Sequence, residues 1–212
     1  MAEDTEEGIV VRGEATVRRV PDLAVVSLAV AIQDRDAGNA RDEANRRASA
    51  ILERLRGQGL QEADIQAPSL TVQPVYDYSR GKPRITGYEA SRPMTLRIRD
   101  ISLLGPILDS LVDDGATLVH GTSMELAEPE AASQEALAAA FGVARARAEA
   151  LAAAANLELG QPLRIEEGME GSVSPFPHGA MMRMAADESA PTEVAAGEIE
   201  ISASVRVWFD LV

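Results

Sequence analysis

A chain of 212 residues is one large domain or two small ones at roughly 150 residues per domain, and 46% hydrophobic residues can build a sizeable core. Aromatics are only 3%, so that core is aliphatic, and a net charge of −14 argues against nucleic acid and anionic membrane surfaces, which need a positive face. The absence of cysteine excludes disulfides, thiolate metal sites and cysteine nucleophiles together.

The start, Met1-Ala2-Glu3-Asp4-Thr5-Glu6-Glu7, lacks the basic and apolar regions of a secretory signal. No apolar run approaches the roughly 20 residues that span a bilayer, so no transmembrane segment is expected. Two readings are open here: a cytoplasmic chain, or a mature exported form whose signal is replaced by Met1.

Ile9, Val11, Ala15 and Val17 alternate with polar residues, the period of a half-buried strand. Gly13 falls on its buried face, where a bulge or a close neighbouring backbone is expected. Pro21-Asp22 turns the chain into Leu23–Ile32, which is apolar on both faces and reads as a central strand. Asp36 caps a helix reaching about Arg56, and Gly57-Gln58-Gly59 ends it. Asp64–Val75 is a strand that Pro68 and Pro74 confine to an edge or to bulges. The stretch Asp77–Lys82 is a hairpin loop leading into the strand Tyr88–Arg99.

A short helix at Leu103–Val112 precedes a strand at Thr117–Leu126. Pro129 opens a long helix running to about Ala155. A strand at Pro162–Met169 follows, then an irregular stretch over Glu170–Ala195, then a final strand. In the last, Ile199, Ile201, Ala203, Val205, Val207, Phe209 and Leu211 share one face. The order ββαββαβαββ is an α+β arrangement, with helices on one face of antiparallel sheets.

On the long helix, Leu137, Phe141, Ala144, Ala148, Leu151 and Ala155 are spaced alternately by four and three, a heptad-like seam. Its small residues let a second backbone approach closely. It packs on the sheet of its own chain, or serves as a contact between subunits through Leu137, Phe141, Ala144, Ala148 and Leu151.

Catalytic chemistry is hard to find. His120 and His178 lie in different elements and in no zinc-binding spacing; His120, before Gly121, reads as a surface or structural histidine. Gly81-Lys82 lacks the upstream glycine and the following hydroxyl residue of a phosphate loop. Asp34–Gly38 has its glycine one place early for a calcium loop, and helix capping by Asp36 explains the same letters. No catalytic residue and no cofactor is assigned. One group carries ligand chemistry: Met169, His178, Met181, Met182 and Met184 offer thioethers and an imidazole, a soft set suited to Cu(I) or a small ligand. The competing reading is a loop whose flexible methionines pack on a neighbour.

Several ordered stretches resemble the SIMPL-domain family. They are Gly8–Arg18 with Pro21-Asp22-Leu23-Ala24, Leu60–Ser69, Val75-Tyr76-Asp77-Tyr78, Ile85-Thr86-Gly87-Tyr88-Glu89-Ala90, Leu104–Gly121 and Ala196-Gly197-Glu198-Ile199. The likeness covers Gly8 to Val212 and departs at Gly115-Ala116-Thr117, where members commonly carry Ala-Asn. It implies a two-lobed fold and export to the periplasm or peripheral association with the outer membrane. It also implies antigenicity, a link to oxidative-stress defence in one branch, and large ring- or channel-like oligomers in some members. It brings no catalytic residues, and its export habit favours the mature exported form over the cytoplasmic one. The expectation is a single domain over 8–212, with lobes at 8–75 plus 157–212 and at 76–156, acting without catalysis in the cell envelope as a homo-oligomer. Soft-metal or small-ligand binding by the stretch 169–184 is the alternative.

Overall fold

The computed structural model describes residues 8–79, 81–113, 118–168, 173–174 and 197–212. In chain order its elements are β1 (Ile9–Arg19), β2 (Leu23–Asp34), α1 (Ala37–Gly57), β3 (Ile65–Gln66), β4 (Thr71–Asp77), β5 (Arg84–Ile98), α2 (Leu104–Asp113), β6 (Leu118–Glu125), α3 (Pro129–Ala154), β7 (Leu159–Glu167), β8 (Val173–Ser174) and β9 (Ile199–Leu211). The α+β order read from the sequence holds, with the strand expected at Asp64–Val75 broken in two around Pro68.

The strands form two antiparallel sheets, ordered β1-β9-β7 and β3-β5-β2-β6. β8 joins the first by pairing with β9, and β4 joins the second on the edge of β5. β1 and β2, neighbours in sequence, belong to different sheets. Two compact units result: one holds 8–20, 128–168, 173–174 and 197–212, the other 21–127. This division differs from the lobes expected above. Period-two patterning tells which face of a strand is buried and says nothing of its partner. Here β1 pairs with the most distant strand of the chain, and α3 goes with it.

In the first unit β9 is the central strand, paired along its length with β1 from Ile9↔Phe209 to Arg19↔Ile199 without a register shift. Its odd-numbered residues Ile199 to Phe209 are buried, as their alternation requires. The other face carries cross-strand polar pairs: Thr16 and Ser202 hydroxyls lie 2.9 Å apart, and Arg18 donates to Glu200 at 2.9 Å. α3 packs chiefly on β1 and β9. Its buried side is a row of alanines, Ala132, Ala136, Ala140, Ala144, Ala148 and Ala152. A Cβ on Gly13 would stand 2.0 Å from the Ala140 carbonyl oxygen and 2.6 Å from the Ala144 nitrogen. The close neighbouring backbone expected at Gly13 is therefore α3, and β1 has no bulge there.

The second unit buries a cluster of larger side chains, among them Leu28, Ile51, Leu55, Met94, Leu96, Leu104, Ile107 and Leu111. β2 lies between β5 and β6, the central place its two apolar faces demand. Asp36 caps α1 by accepting from the Asn39 backbone N–H at 3.0 Å. The helix ends in a Schellman motif: Leu60 N–H donates to the Leu55 carbonyl at 3.1 Å and Gly59 N–H to that of Arg56 at 3.1 Å. Gly59 has φ +97°, which only glycine adopts cheaply.

Candidate functional site

The side of α3 that is buried on the sheet does not follow the seam read from the sequence. Ala144 and Ala148 are buried under the sheet, Leu137 and Phe141 are half-buried, and Leu151 and Ala155 are exposed. The difference is geometric. The buried alanines recur strictly every fourth residue, a ridge that slants across the helix axis, whereas a spacing of four and three runs along it. A twisted sheet meets the slanted ridge, so the two lines cross in the middle of the helix and part at its ends. Phe141 keeps an inward contact, its ring 6.3 Å from that of Phe209.

Met169, His178, Met181, Met182 and Met184 lie outside the described residues. His120 is the extra residue of a bulge, since Ser27 pairs with Gly121 and Leu28 with Val119, and it is exposed on the edge strand β6. Among the described residues no three histidine, aspartate or glutamate side chains converge as metal ligands would.

The described residues form cavities, two of which are lined by polar and apolar groups together. One, of about 90 Å³, is lined by Ser133, Leu137, Glu167, Gly168, Ile201, Ser202, Ala203 and Ser204. The Ser204 hydroxyl there is buried and has no hydrogen-bond partner. A serine nucleophile needs an adjacent base such as histidine or lysine, and neither lines this cavity. The other, of about 200 Å³, is an open hollow between Gln33–Arg35, Val75 and Thr86–Tyr88.

Chain surface with a stronger signal lies on two strands. β2 ends where Asp34 pairs with Tyr88, so residues 84–87 of β5 pair only with β4. The two strands continue as a two-stranded ribbon on which Tyr76, Tyr78 and Ile85 are exposed, the two tyrosine rings 6.2 Å apart. From Tyr78 to Tyr88 the sequence has three cations, Arg80, Lys82 and Arg84, and no acid. In the other unit, Leu163 and Ile165 of β7 are 62% and 54% exposed.

The family model of the SIMPL proteins, described as proteins of unknown function (DUF541), matches residues 9–209. The chain belongs to the SIMPL family. It is 32% identical over 213 residues to the 26 kDa periplasmic immunogenic proteins of Brucella melitensis and Brucella abortus, covering 96% of this chain and 84% of theirs. It is 30% identical over 198 residues to the uncharacterized protein YggE of Escherichia coli, covering 93% of this chain and 78% of that one.

The SIMPL-like stretches can now be given physical roles. Leu60 of Leu60–Ser69 closes the Schellman motif of α1. Asp64, 6% exposed, accepts from Arg99 Nε at 3.2 Å and Nη2 at 3.1 Å. Gly87 of the stretch Ile85–Ala90 lies against the Asp34 carbonyl, where a Cβ would stand 2.7 Å from the oxygen. The glycine thus lets β5 pass the end of β2 and continue into the ribbon. Sequence reasoning marked the ribbon's tip as a hairpin loop and its first strand as an edge, from Pro68 and Pro74. It did not find the exposure of Tyr76, Ile85, Leu163 and Ile165, because alternation alone reads those strands as having a covered face.

Proposed function

We propose that this chain is a non-enzymatic periplasmic protein of the cell envelope that works by assembling with copies of itself. The observation that carries this reading is the β4–β5 ribbon. A two-stranded ribbon is marginal in water unless something covers it, and this one exposes Tyr76, Tyr78 and Ile85. Its acid-free, cationic tip is complementary to the surface of a chain whose net charge is −14. The periplasmic assignment draws on the name of the Brucella relatives. A part in oxidative-stress defence rests on the family resemblance alone.

Light scattering coupled to size-exclusion chromatography tests the reading on the whole chain. The wild type should elute as an oligomer, and Tyr76→Ser with Tyr78→Ser and Ile85→Ser should shift it to a smaller species. These side chains are exposed, so the variant should keep its circular dichroism. A wild type that stays strictly monomeric at high concentration would overturn the proposal.

A further inference from the structure

β7 is the least covered strand of its sheet. It pairs with β9 on one side, and among the described residues no strand pairs with its other edge. α3 lies chiefly over β1 and β9, so Leu163 and Ile165 are left exposed on a strand whose remaining residues are mostly exposed as well. An uncovered edge with apolar side chains is a template for another strand. The question is which strand it fits.

The sequence of β7 answers by its own symmetry. Arg164, Ile165 and Glu166 form a charge pattern that complements itself when reversed. Two copies of β7 laid antiparallel about a two-fold axis at Ile165 set Arg164 of each against Glu166 of the other, and Ile165 against Ile165. Shifting the axis by one residue to Arg164 would oppose two arginines, which directly opposite like charges disfavour. The centred register also leaves Pro162, which has no N–H to donate, opposite Gly168, just beyond the paired residues. Within one chain Arg164 already pairs with Glu166 and lies over the Trp208 ring at 4.8 Å. Both charged side chains are therefore on the Trp208 face, while Ile165 shares the face of its partner Val207.

We infer that β7 is a two-fold contact through which two copies of this chain join their β1-β9-β7 sheets edge to edge, an isologous interface centred on Ile165. This contact rests on the assembly reading above and specifies one surface of it, separate from the ribbon.

The cysteine-free chain makes a direct test available. Residues directly opposite in an antiparallel pair have Cα atoms about 4.5–5.5 Å apart, within the range a disulfide spans. Under mild oxidant, Ile165→Cys should give one covalent dimer on a non-reducing gel, while Ser123→Cys, exposed on β6, should cross-link slowly. Adding Arg164→Glu to Ile165→Cys should slow dimer formation about fivefold, because it opposes acids across both pairs. Mixing that variant with a second one carrying Ile165→Cys and Glu166→Arg should restore dimer formation as a mixed dimer, acids of one copy opposite arginines of the other. Each variant alone keeps its internal pair broken, so a purely internal role for the Arg164–Glu166 pair does not produce that outcome. Cross-linking of Ile165→Cys no faster than Ser123→Cys, in a wild type that light scattering finds oligomeric, would overturn this contact and leave assembly standing. Efficient cross-linking with no effect of the ribbon variant would support it and move assembly away from the ribbon. A strictly monomeric wild type would overturn both.

Discussion

The two units solve one problem, covering a sheet with a helix, with different mixtures of side chains. Over β1 and β9, α3 offers a row of alanines and comes so close that Gly13 has no room for a methyl group. Against the β3-β5-β2-β6 sheet, α1 begins with the same device, Ala40, Ala44 and Ala48, but the interface is completed by large side chains such as Ile51, Leu55, Leu96 and Leu111. The first interface gains from the intimate contact of backbones, the second from the area of apolar side chains removed from water. The units should therefore be sensitive to opposite changes: the first to added atoms, the second to removed ones. The chain supplies a separate optical probe for each, since its single tryptophan, Trp208, is in the first unit and all three tyrosines, Tyr76, Tyr78 and Tyr88, are in the second.

The largest effect is expected in the second unit. Leu96→Ala should cost about 2–5 kcal/mol, lost transfer energy plus the cavity left behind, and should lower the denaturant midpoint seen by tyrosine emission. In the first unit the damaging change is enlargement. Gly13→Ala or Ala144→Leu should cost about 1–3 kcal/mol and shift the tryptophan transition. A transition that barely moves on Gly13→Ala would mean that α3 can lift off its sheet without penalty, and the contrast between the two interfaces would fail.

Helix starts sharpen the comparison at a smaller scale. α1 is capped by the Asp36 carboxylate, whereas Glu128, at the start of α3, makes no capping bond and relies on Pro129 in the first turn. Asp36→Ala should cost about 1 kcal/mol in chemical denaturation, and Glu128→Ala close to none. The smallest effect concerns the ribbon. The Ser79 backbone N–H, and secondarily its hydroxyl, hold the Asp77 carboxyl below its ordinary value of 3.8. The favourable interaction is fully present above that value and is lost as pH falls through the lowered one. Ser79→Ala removes only the hydroxyl, so the carboxyl titration followed by NMR should move part of the way back towards 3.8.

Much of this fold was legible in the sequence, and the failures have identifiable causes. β9, β2 and the capped start of α1 could be read because their residues leave one choice: strict alternation, two apolar faces, an aspartate before a helical pattern. The prolines at 68 and 74 correctly marked an edge strand, for want of a donor at those positions. The packing face of α3 could not be read in the same way. Alanine occupies so much of its circumference that spacings of four and of four-and-three both find small residues, and only the twist of the sheet selects between them. β7 misled for a related reason. Its alternation is that of a strand with one covered face, yet among the described residues of its own unit no element covers Leu163 and Ile165. The candidate surfaces are thus the places where pattern promises burial and the described residues do not provide it.

One consequence follows from the pairing of β1 with β9. The unit they share is assembled from the first described strand and the last, while the intervening 21–127 completes its own sheet from consecutive stretches of chain. The ends of that insert are tied together, Asp22 N–H to the Glu125 carbonyl at 3.2 Å and Ala127 N–H to the Asp22 carboxylate at 2.7 Å. As the polypeptide emerges from a ribosome, β1 must wait without a strand partner until the thirteen-residue β9 arrives. The molecule thereby has a built-in delay: the unit of 21–127 can form early, and the other cannot lock until β9 has been delivered.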